Sequence, residues 1–305
     1  MTSSIFDLDL TWTPLDLTFG LLACIVAVWI GAALAKKQAR AFSGPGTRGT
    51  EDDAPDNGGL PPVTVFDYGD MRFLHLGSPA VQGSMKISKP FEIHLDYVQR
   101  MMAGLLLTDL NHVHHLRAMQ LGLGAASLTK FCHTPLGMHT TAIELNPQVI
   151  ATCRHAFHLP PDSEKLQVLQ GDAGEAAQDK QWHGKIDVLQ VDLYDQDAAR
   201  PAVDTEDFYS DCRHLLTSNG CMTVNLFGHD ANYEDSLRKI EMAFGANAVW
   251  AFKPTAAGNS IVMAFRTPRV FDPDALITQA RAIEARWSLP ATKWLKVLAP
   301  VKPSP

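Results

Sequence analysis

Three carboxylates directly follow an apolar segment in the middle of the chain. The segment 186–191 is followed by Asp192, Asp195 and Asp197. Such a cluster attracts a cationic ligand, and one of its carboxylates can accept the proton of an attacking amine or hold that amine in line. The alternative is a polar loop with a helix-capping aspartate. That alternative suits Asp195 better than Asp192, because loop carboxylates are common and apolar strands that end in Asp are less so.

A glycine-containing turn lies earlier in the chain. Gly122-Leu-Gly124-Ala-Ala-Ser127 separates a predicted strand from a predicted helix, where glycines let the backbone approach a ligand at the helix N-terminus. Glu144 closes the next predicted strand, 20 residues after Gly124. Folds of this kind place a carboxylate there that binds both ribose hydroxyls. A tight turn followed by a solvated acid is the alternative, and the strand–turn–helix order favours the ribose site.

A third acid follows another predicted strand. Asp172 stands in Gln170-Gly171-Asp172-Ala173, at the carboxyl edge of the predicted sheet, where open α/β folds bind their ligands. The amino group of an adenine is a natural partner for its carboxylate. An acid directly before a helix can also be an N-cap. The residues alone leave both interpretations open.

The elements that must position these residues alternate between strand and helix. The alternation predicts a mainly parallel sheet with helices on both faces. Strands are predicted at 118–121, 139–143, 166–170, 186–191, 221–227, 248–252 and 260–265, and helices at 127–132, 147–157, 205–216, 233–244 and 274–287. Seven strands fit a Rossmann-like, doubly wound sheet, and the acids predicted to bind ribose and adenine at its carboxyl edge indicate an adenosine-containing cofactor.

Smaller units flank this domain. Segments 63–66 and 71–76 look like strands joined by a tight turn at Tyr68-Gly69-Asp70. The apolar spacing over 91–107 predicts a helix that leads into the main domain. The predicted organisation is an N-terminal segment (1–42), a disordered linker (43–62), a small β module with a helix (63–107), the Rossmann-like catalytic domain (108–290) and a C-terminal tail (291–305) whose end is frayed.

The first 42 residues contain an almost wholly apolar run. Residues 17–35 match the roughly 20 residues that cross a bilayer and predict one transmembrane helix. Lys36, Lys37 and Arg40 follow the run and no basic residue precedes it. The positive-inside rule then puts the rest of the chain in the cytoplasm, anchored to the inner (plasma) membrane. A buried helix, or an extension absent from the mature enzyme, is the alternative.

The amino-acid composition of the chain argues against some classes of function. The 305 residues include 33 acidic and 26 basic side chains, so the basic footprint of a nucleic-acid binder is missing and a small or cationic partner fits better. Five cysteines are scattered without a Cys-x-x-Cys pair, which is typical of buried thiols in a reducing compartment. His112, His114 and His115 lack companion ligands at metal spacing, so we expect a surface turn there and no metal.

Several motifs together resemble the polyamine aminopropyltransferases, the spermidine synthase family. The resemblance extends over about 63–265 and includes the small β module; its motifs are Gly122-Leu-Gly124, Thr141-Ala-Ile-Glu144-Leu-Asn-Pro147-Gln-Val-Ile150, Gly171-Asp172-Ala173, Val191-Asp192-Leu-Tyr-Asp195, Phe208-Tyr209 and Val81-Gln82. The resemblance implies a homodimer as a possible assembly, and decarboxylated S-adenosylmethionine as the co-substrate.

The resemblance also implies roles for individual residues. Glu144 would bind the ribose and Asp172 the adenine, in a cofactor site that includes Gly122, Gly124, Ala173 and Asp192. Asp192 would accept the proton of the attacking amine, and Asp195 would be a second amine ligand. Gln82 would contact the substrate.

The sequence departs from the family pattern at three places. The aspartate of the family's Gly-Gly-Gly-Asp-Gly loop, which helps hold the aminopropyl amine, is Ala125 here. The family's Asp-Glu-x-x-Tyr-His-Glu helix has no clear counterpart, and Tyr97 or His94 would serve in place of its tyrosine. The family's Pro-x-Gly-Pro segment is replaced by residues 196–201, whose Arg200 would repel a polyamine if it faced the site. The chain therefore resembles the spermidine-synthase-like branch more than an orthodox spermidine synthase.

Three functional hypotheses follow. The first is an aminopropyltransferase that uses decarboxylated S-adenosylmethionine and a polyamine acceptor. The second is a methyltransferase that uses intact S-adenosylmethionine, which the loss of an acid at Ala125 makes easier because the cofactor's carboxylate would no longer meet that charge. The third is a membrane-tethered, non-catalytic protein that keeps the nucleoside pocket without turnover.

Overall fold

The structure is a computed structural model that describes residues 59–194, 203–227, 232–269 and 271–301. The predicted transmembrane helix at 17–35 and most of the predicted linker lie outside the described residues. Among the residues that are described, no helix is long and apolar enough to cross a membrane.

A three-stranded antiparallel sheet precedes the main domain. It contains β1 (Val63–Tyr68), β2 (Met71–Leu76) and β3 (Val81–Lys86) in sequence order. Gly69 allows the tight β1–β2 turn because its φ of +57° lies in the left-handed region. β1 and β2 agree with the sequence prediction. β3 was not predicted, because Val-Gln-Gly-Ser-Met-Lys shows little of the apolar alternation that marks a strand.

The main sheet holds eight of the described strands in the order β11-β9-β10-β8-β7-β4-β5-β6. These strands are β4 (Arg117–Leu121), β5 (His139–Glu144), β6 (Leu166–Gln170), β7 (Ile186–Val191), β8 (Leu216–Phe227), β9 (Val249–Phe252), β10 (Asn259–Phe265) and β11 (Leu298–Pro300). From β6 to β8 the strands are parallel, whereas β10, β9 and β11 are antiparallel. The Rossmann-like prediction is confirmed, with one strand more than predicted.

Eight α-helices lie within the described residues, with short 3-10 turns between some of the elements. The α-helices are α1 (Asp96–Arg100), α2 (Ser127–His133), α3 (Pro147–Ala156), α4 (Ala173–Gln178), α5 (Glu206–Leu215), α6 (Tyr233–Phe244), α7 (Pro273–Trp287) and α8 (Ala291–Trp294). Local signals explain where the longer ones begin. Asn146 caps α3 by accepting from the Gln148 amide and Thr205 caps α5 by accepting from the Phe208 amide.

Two segments differ from the sequence prediction. The helix predicted over 91–107 is only α1 followed by a 3-10 helix, Ala103–Leu107. Much of that segment is buried, so tertiary packing rather than a helix surface explains its apolar spacing. The predicted tail contains α8 and β11. β11 pairs with β9 and forms one edge of the main sheet.

The order of the strands reverses between β4 and β7. From β4 the chain continues to β5 and β6 on one side, and then returns to place β7 and β8 on the other. In doubly wound sheets, ligands bind at such a reversal, beyond the carboxyl ends of the strands. β10, which pairs antiparallel with β8, is buried along its whole length and extends the same sheet beyond β8.

Candidate active site

A cavity of about 700 Å³ opens at the strand reversal. Its walls come from the carboxyl ends of β4 to β8, from β3 of the small sheet and from α1. A volume of this size accommodates a ligand as large as a nucleoside with a substituent. The cavity brings together Glu144, Asp172 and Asp192, which lie far apart in the sequence.

The glycine-containing turn, Gly122 to Ser127, lines the cavity. Gly122 has a φ of +91°, and a Cβ on it would lie 2.4 Å from the backbone oxygen of Asp192. Only glycine fits there, because a side chain would collide with the neighbouring strand end and would strain the backbone. Gly124, at φ +50°, is approached by the Gln82 carbonyl oxygen, which would lie 3.1 Å from an added Cβ.

Glu144 holds the turn in place through its carboxylate. Oε2 accepts a hydrogen bond from the Leu123 amide at 3.0 Å, and Oε1 accepts one from the Asn146 amide at 2.9 Å. Burial raises the pKa of Glu144, and the backbone amides oppose that rise. Each carboxylate oxygen can accept a second hydrogen bond. Glu144, which also receives the Leu145 amide, can therefore accept from a ligand hydroxyl while it keeps the turn fixed.

Asp172 is the N-cap of α4. Its Oδ1 accepts hydrogen bonds from the amides of Gly174 (2.7 Å) and Glu175 (3.0 Å). The side chain is solvent-exposed and also lines the cavity. Because the cap uses one oxygen, the second oxygen is available to a donor on a ligand. The capping and ligand-binding interpretations of Asp172 are compatible. Ala173, next in the chain, also lines the cavity.

Asp192 follows β7 and is held by side chains rather than by backbone amides. The Asn225 Nδ2 donates to its Oδ1 at 2.8 Å, and the Tyr97 hydroxyl donates to the same carboxylate. Burial raises the pKa of Asp192, while these two donors lower it. A carboxylate with a raised pKa that faces a cavity can accept a proton from a ligand.

Two tyrosines line the cavity near Asp192. Burial, followed by the charge of Asp192, raises the pKa of Tyr97 well above its usual value. Tyr97 therefore stays protonated and remains a donor. The Tyr194 hydroxyl donates to the backbone oxygen of Asn225 at 2.9 Å. Tyr194 was not singled out in the sequence, although it stands within the motif that contains Asp192.

Strand β3 covers the turn from the opposite side. Gln82 lines the cavity, and a Cβ on the next residue, Gly83, would lie 2.6 Å from the Ala125 amide nitrogen. Ala125, which replaces the family's aspartate, is 3% exposed. The small sheet and the turn therefore fit together only because residue 83 has no side chain.

Other residues from the sequence analysis either fall outside the described residues or do not line the cavity. Asp195 and the segment 196–201 lie outside the described residues. His94 does not line the cavity; its Nε2 lies 3.1 Å from the Ser84 hydroxyl. His112 contacts Asp109 on the surface, and the described part of the chain contains no cluster able to hold a metal ion. The four cysteines within it are buried and free.

Solved structures share this fold. A probable spermidine synthase from Corynebacterium glutamicum has a TM-score of 0.58 at 18% identity, over 73% of this chain and 82% of its own. A spermidine synthase in complex with the transition-state analogue AdoDATO has a TM-score of 0.53 at 14% identity, over 76% of this chain and 86% of its own. Identities this low establish the fold alone.

Sequence comparison goes further. No family model matches the chain. A polyamine aminopropyltransferase of Neisseria meningitidis serogroup A is 33% identical over 252 residues, which are 82% of this chain and 94% of the relative. The enzyme of the same name from Chromobacterium violaceum is 32% identical over 232 residues, 75% of this chain and 86% of the relative. At this identity over most of both sequences, the chain belongs to the polyamine aminopropyltransferase family.

Proposed function

We propose that the protein transfers an aminopropyl group from decarboxylated S-adenosylmethionine to a polyamine acceptor. The observation that carries the proposal is the Asp192 carboxylate, held by Asn225 and Tyr97 at the wall of the cavity. Its raised pKa suits a group that must take up a proton. Family membership supports the same reaction.

The adenosine portion of the co-substrate fits the opposite end of the cavity. Glu144 lines the cavity, and its carboxylate is the acceptor that ribose hydroxyls require. Asp172 offers one oxygen to the adenine amino group. Gly122 and Gly124 leave room for the nucleoside next to the backbone. With the nucleoside in this orientation, the sulfonium and its aminopropyl chain extend toward Asp192.

The chemical step is a displacement at carbon. The lone pair of the acceptor nitrogen attacks the methylene carbon next to the sulfonium, and a carbon–nitrogen bond forms as the carbon–sulfur bond breaks. The electrons of the broken bond stay on sulfur, and 5′-methylthioadenosine leaves. The acceptor nitrogen loses one proton, which the Asp192 carboxylate takes up. Holding the amine in line with the bond that breaks also accelerates the displacement.

One observation favours a second candidate. Ala125 lies where the resembled family has the aspartate that helps hold the aminopropyl amine, and it is packed against Gly83. Among the described residues of the turn, no carboxylate takes that place. Intact S-adenosylmethionine, which carries a carboxylate, would therefore meet less repulsion. The second candidate is a methyltransferase that uses the same cavity.

Calorimetric titration of the full chain distinguishes the two. S-adenosylmethionine and its decarboxylated form are titrated separately, and release of 5′-methylthioadenosine is then assayed with putrescine and with spermidine. We expect tighter binding of the decarboxylated form and product with one of the amines. Preference for intact S-adenosylmethionine, without methylthioadenosine release, would contradict aminopropyl transfer. The variant Asp192→Asn is the control for background hydrolysis.

Residues 17–35 support a further proposal about location. Their apolar composition and the basic residues that follow predict a membrane anchor with the catalytic domain on the cytoplasmic side. We expect the full chain to sediment with membranes and to be released by detergent but not by salt. A variant with two lysines in the run, Val26→Lys with Val28→Lys, should stay in the supernatant. Sedimentation of both forms alike would contradict the anchor. A homodimer stays a prediction, which light scattering of the detergent-released chain tests.

A further inference from the structure

A pair of buried amide side chains, Asn225 and Asn259, extends from Asp192, and both residues line the cavity. Asn225 Nδ2 donates to Asp192 Oδ1 at 2.8 Å, and Asn259 Nδ2 donates to Asn225 Oδ1 at 3.1 Å. Asn225 is 5% exposed and Asn259 is 8% exposed. The three side chains form a line from β10 through β8 to the end of β7. Asn259 was not identified from the sequence.

The direction of these hydrogen bonds is set by what each group can offer. An ionised carboxylate can only accept, so Asn225 must turn its NH2 group toward Asp192. Its own oxygen then faces away and requires a donor, because a buried unpaired acceptor is costly. Asn259 supplies that donor. The first amide is therefore oriented by the second.

Asn259 is itself fixed by the backbone. Its backbone amide donates to Thr255 Oγ1 at 3.1 Å, and its backbone carbonyl oxygen accepts from the Thr255 backbone amide at 2.7 Å. These two contacts close the turn before β10. Across β8 and β10, Asn259 pairs with Phe227 and Ile261 pairs with Asn225, so Asn259 and Asn225 are diagonal neighbours on one face of the sheet. The arrangement leaves Asn259 little freedom to turn away.

A reversed Asn225 amide would have the opposite effect on the carboxylate. Its oxygen would then face Asp192. Because that oxygen can only accept a hydrogen bond, Asp192 would have to carry a proton to donate one. That orientation favours a protonated Asp192. We propose that Asn259 is a positioning residue, which acts through Asn225 to keep the Asp192 carboxylate in its proton-accepting form. The proposal rests on the proposed function, in which Asp192 takes up a proton.

Other titratable groups lie near Asp192 or elsewhere in the same cavity. Tyr97 from α1 donates to it, and Tyr194 lies two residues further along its own segment. Glu144 and Asp172 line the opposite end of the cavity. Asp195 and Asp197 lie outside the described residues. These groups are unchanged in a variant of Asn259, so such a variant isolates the contribution of the amide pair.

The test compares two variants in the same strand. Asn259→Leu keeps the approximate size and removes the donor. Ser260→Ala is the matched control, because it removes a different buried hydrogen bond, from Ser260 Oγ to the Phe252 carbonyl oxygen at 2.7 Å. The pH dependence of kcat is measured for both. We expect the acid limb of the Asn259→Leu profile to move up by roughly one pH unit, with kcat at high pH nearly unchanged.

In the control variant Ser260→Ala, the acid limb of the kcat profile should coincide with that of wild type. An acid limb in Asn259→Leu that coincides with wild type, or one that moves equally in Ser260→Ala, would overturn the proposal. A structural defect alone would lower kcat at all pH values. Asn259→Ala is the second variant, should leucine prevent folding.

A second measurement does not depend on turnover. The titration of the Asp192 carboxyl carbon is followed by NMR in aspartate-labelled full-length protein, with Asp192→Asn to assign the resonance. We expect the midpoint to rise in Asn259→Leu and to stay in place in Ser260→Ala. A rise without any polyamine turnover would refute the proposed function and leave the positioning role intact. An unmoved midpoint would refute the positioning role whatever the turnover.

Discussion

The two ends of the cavity hold their carboxylates in different ways. At the nucleoside end, Glu144 and Asp172 accept hydrogen bonds from backbone amides of the turn and of helix α4. At the reaction end, Asp192 is held by the side chains of Asn225 and Tyr97, which come from β8 and α1. An amino-acid substitution usually leaves a backbone amide donor in place, whereas it can remove a side-chain donor.

Under the proposed function, this difference separates co-substrate binding from catalysis. The nucleoside end is set by the course of the backbone, which every member with the same turn shares. The reaction end depends on a few side chains that can alter the pKa of Asp192 without moving the sheet. We therefore expect substitutions at the two ends to affect different measured quantities: cofactor affinity at one and kcat at the other.

The largest effect is expected at Asp192. Replacement by asparagine preserves the shape but removes the proton acceptor, so kcat should fall by roughly 100-fold to 10,000-fold. Steady-state kinetics and calorimetry with the decarboxylated co-substrate measure the two quantities. Affinity should change far less than kcat. Asp207→Asn, at an exposed position of α5, is the control. An equal loss of affinity and of kcat in Asp192→Asn would contradict the predicted separation of binding from catalysis.

A smaller effect is expected at Glu144, and on affinity. In Glu144→Gln, an NH2 group replaces one oxygen and faces a backbone amide donor. Loss of a hydrogen bond to a charged group costs about 1.5–3 kcal/mol, so Kd for the co-substrate should rise roughly tenfold or more. At saturating co-substrate, kcat should be within a few-fold of wild type. Glu175→Gln, an exposed substitution nearby, should leave Kd unchanged.

The two roles of Asp172 can be separated by a pair of substitutions. Asparagine is as good an N-cap as aspartate, whereas alanine loses the cap and about 1 kcal/mol of stability. Asp172→Asn should therefore keep the Tm, and Asp172→Ala should lower it. Both should weaken co-substrate binding if the second oxygen accepts from the adenine amino group. Unchanged affinity in both variants would leave only the capping role.

The same contrast explains which parts of the site could be predicted from sequence. Gly122, Glu144 and Asp172 belong to local motifs at strand ends, and their spacing along the chain is sufficient to predict the cofactor edge of the sheet. Asn259 carries no such signal. It reaches Asn225 only because β10 runs antiparallel beside β8 in one particular register. β10 is buried along its whole length, so it lacks the apolar–polar alternation from which that register could be predicted.

The fold shows the same limit. Strong apolar strands and capped helices such as α3 and α5 were placed within one or two residues, whereas β8 begins five residues before its predicted start. The helix predicted at 91–107 was wrong because burial against the sheet, and not a helical surface, sets its apolar pattern. The family assignment is confirmed by its relatives, because it depends on motifs rather than on these segments.

The smallest predicted effect concerns stability at the reaction end. Burial raises the folded-state pKa of Asp192 above its usual 3.8, so wild type loses stability as pH rises through that folded-state pKa. Asp192→Asn lacks this loss, and its Tm should exceed that of wild type by about 2 °C near pH 7, with the difference shrinking toward pH 4. Asp67→Asn should do the opposite, because Arg72 lowers the pKa of Asp67: its Tm deficit should be present at pH 7 and should shrink on acidification. Thermal unfolding followed by circular dichroism between pH 4 and 8 measures both trends. A Tm difference for Asp192→Asn that does not change with pH would mean that the carboxylate is not destabilised by burial.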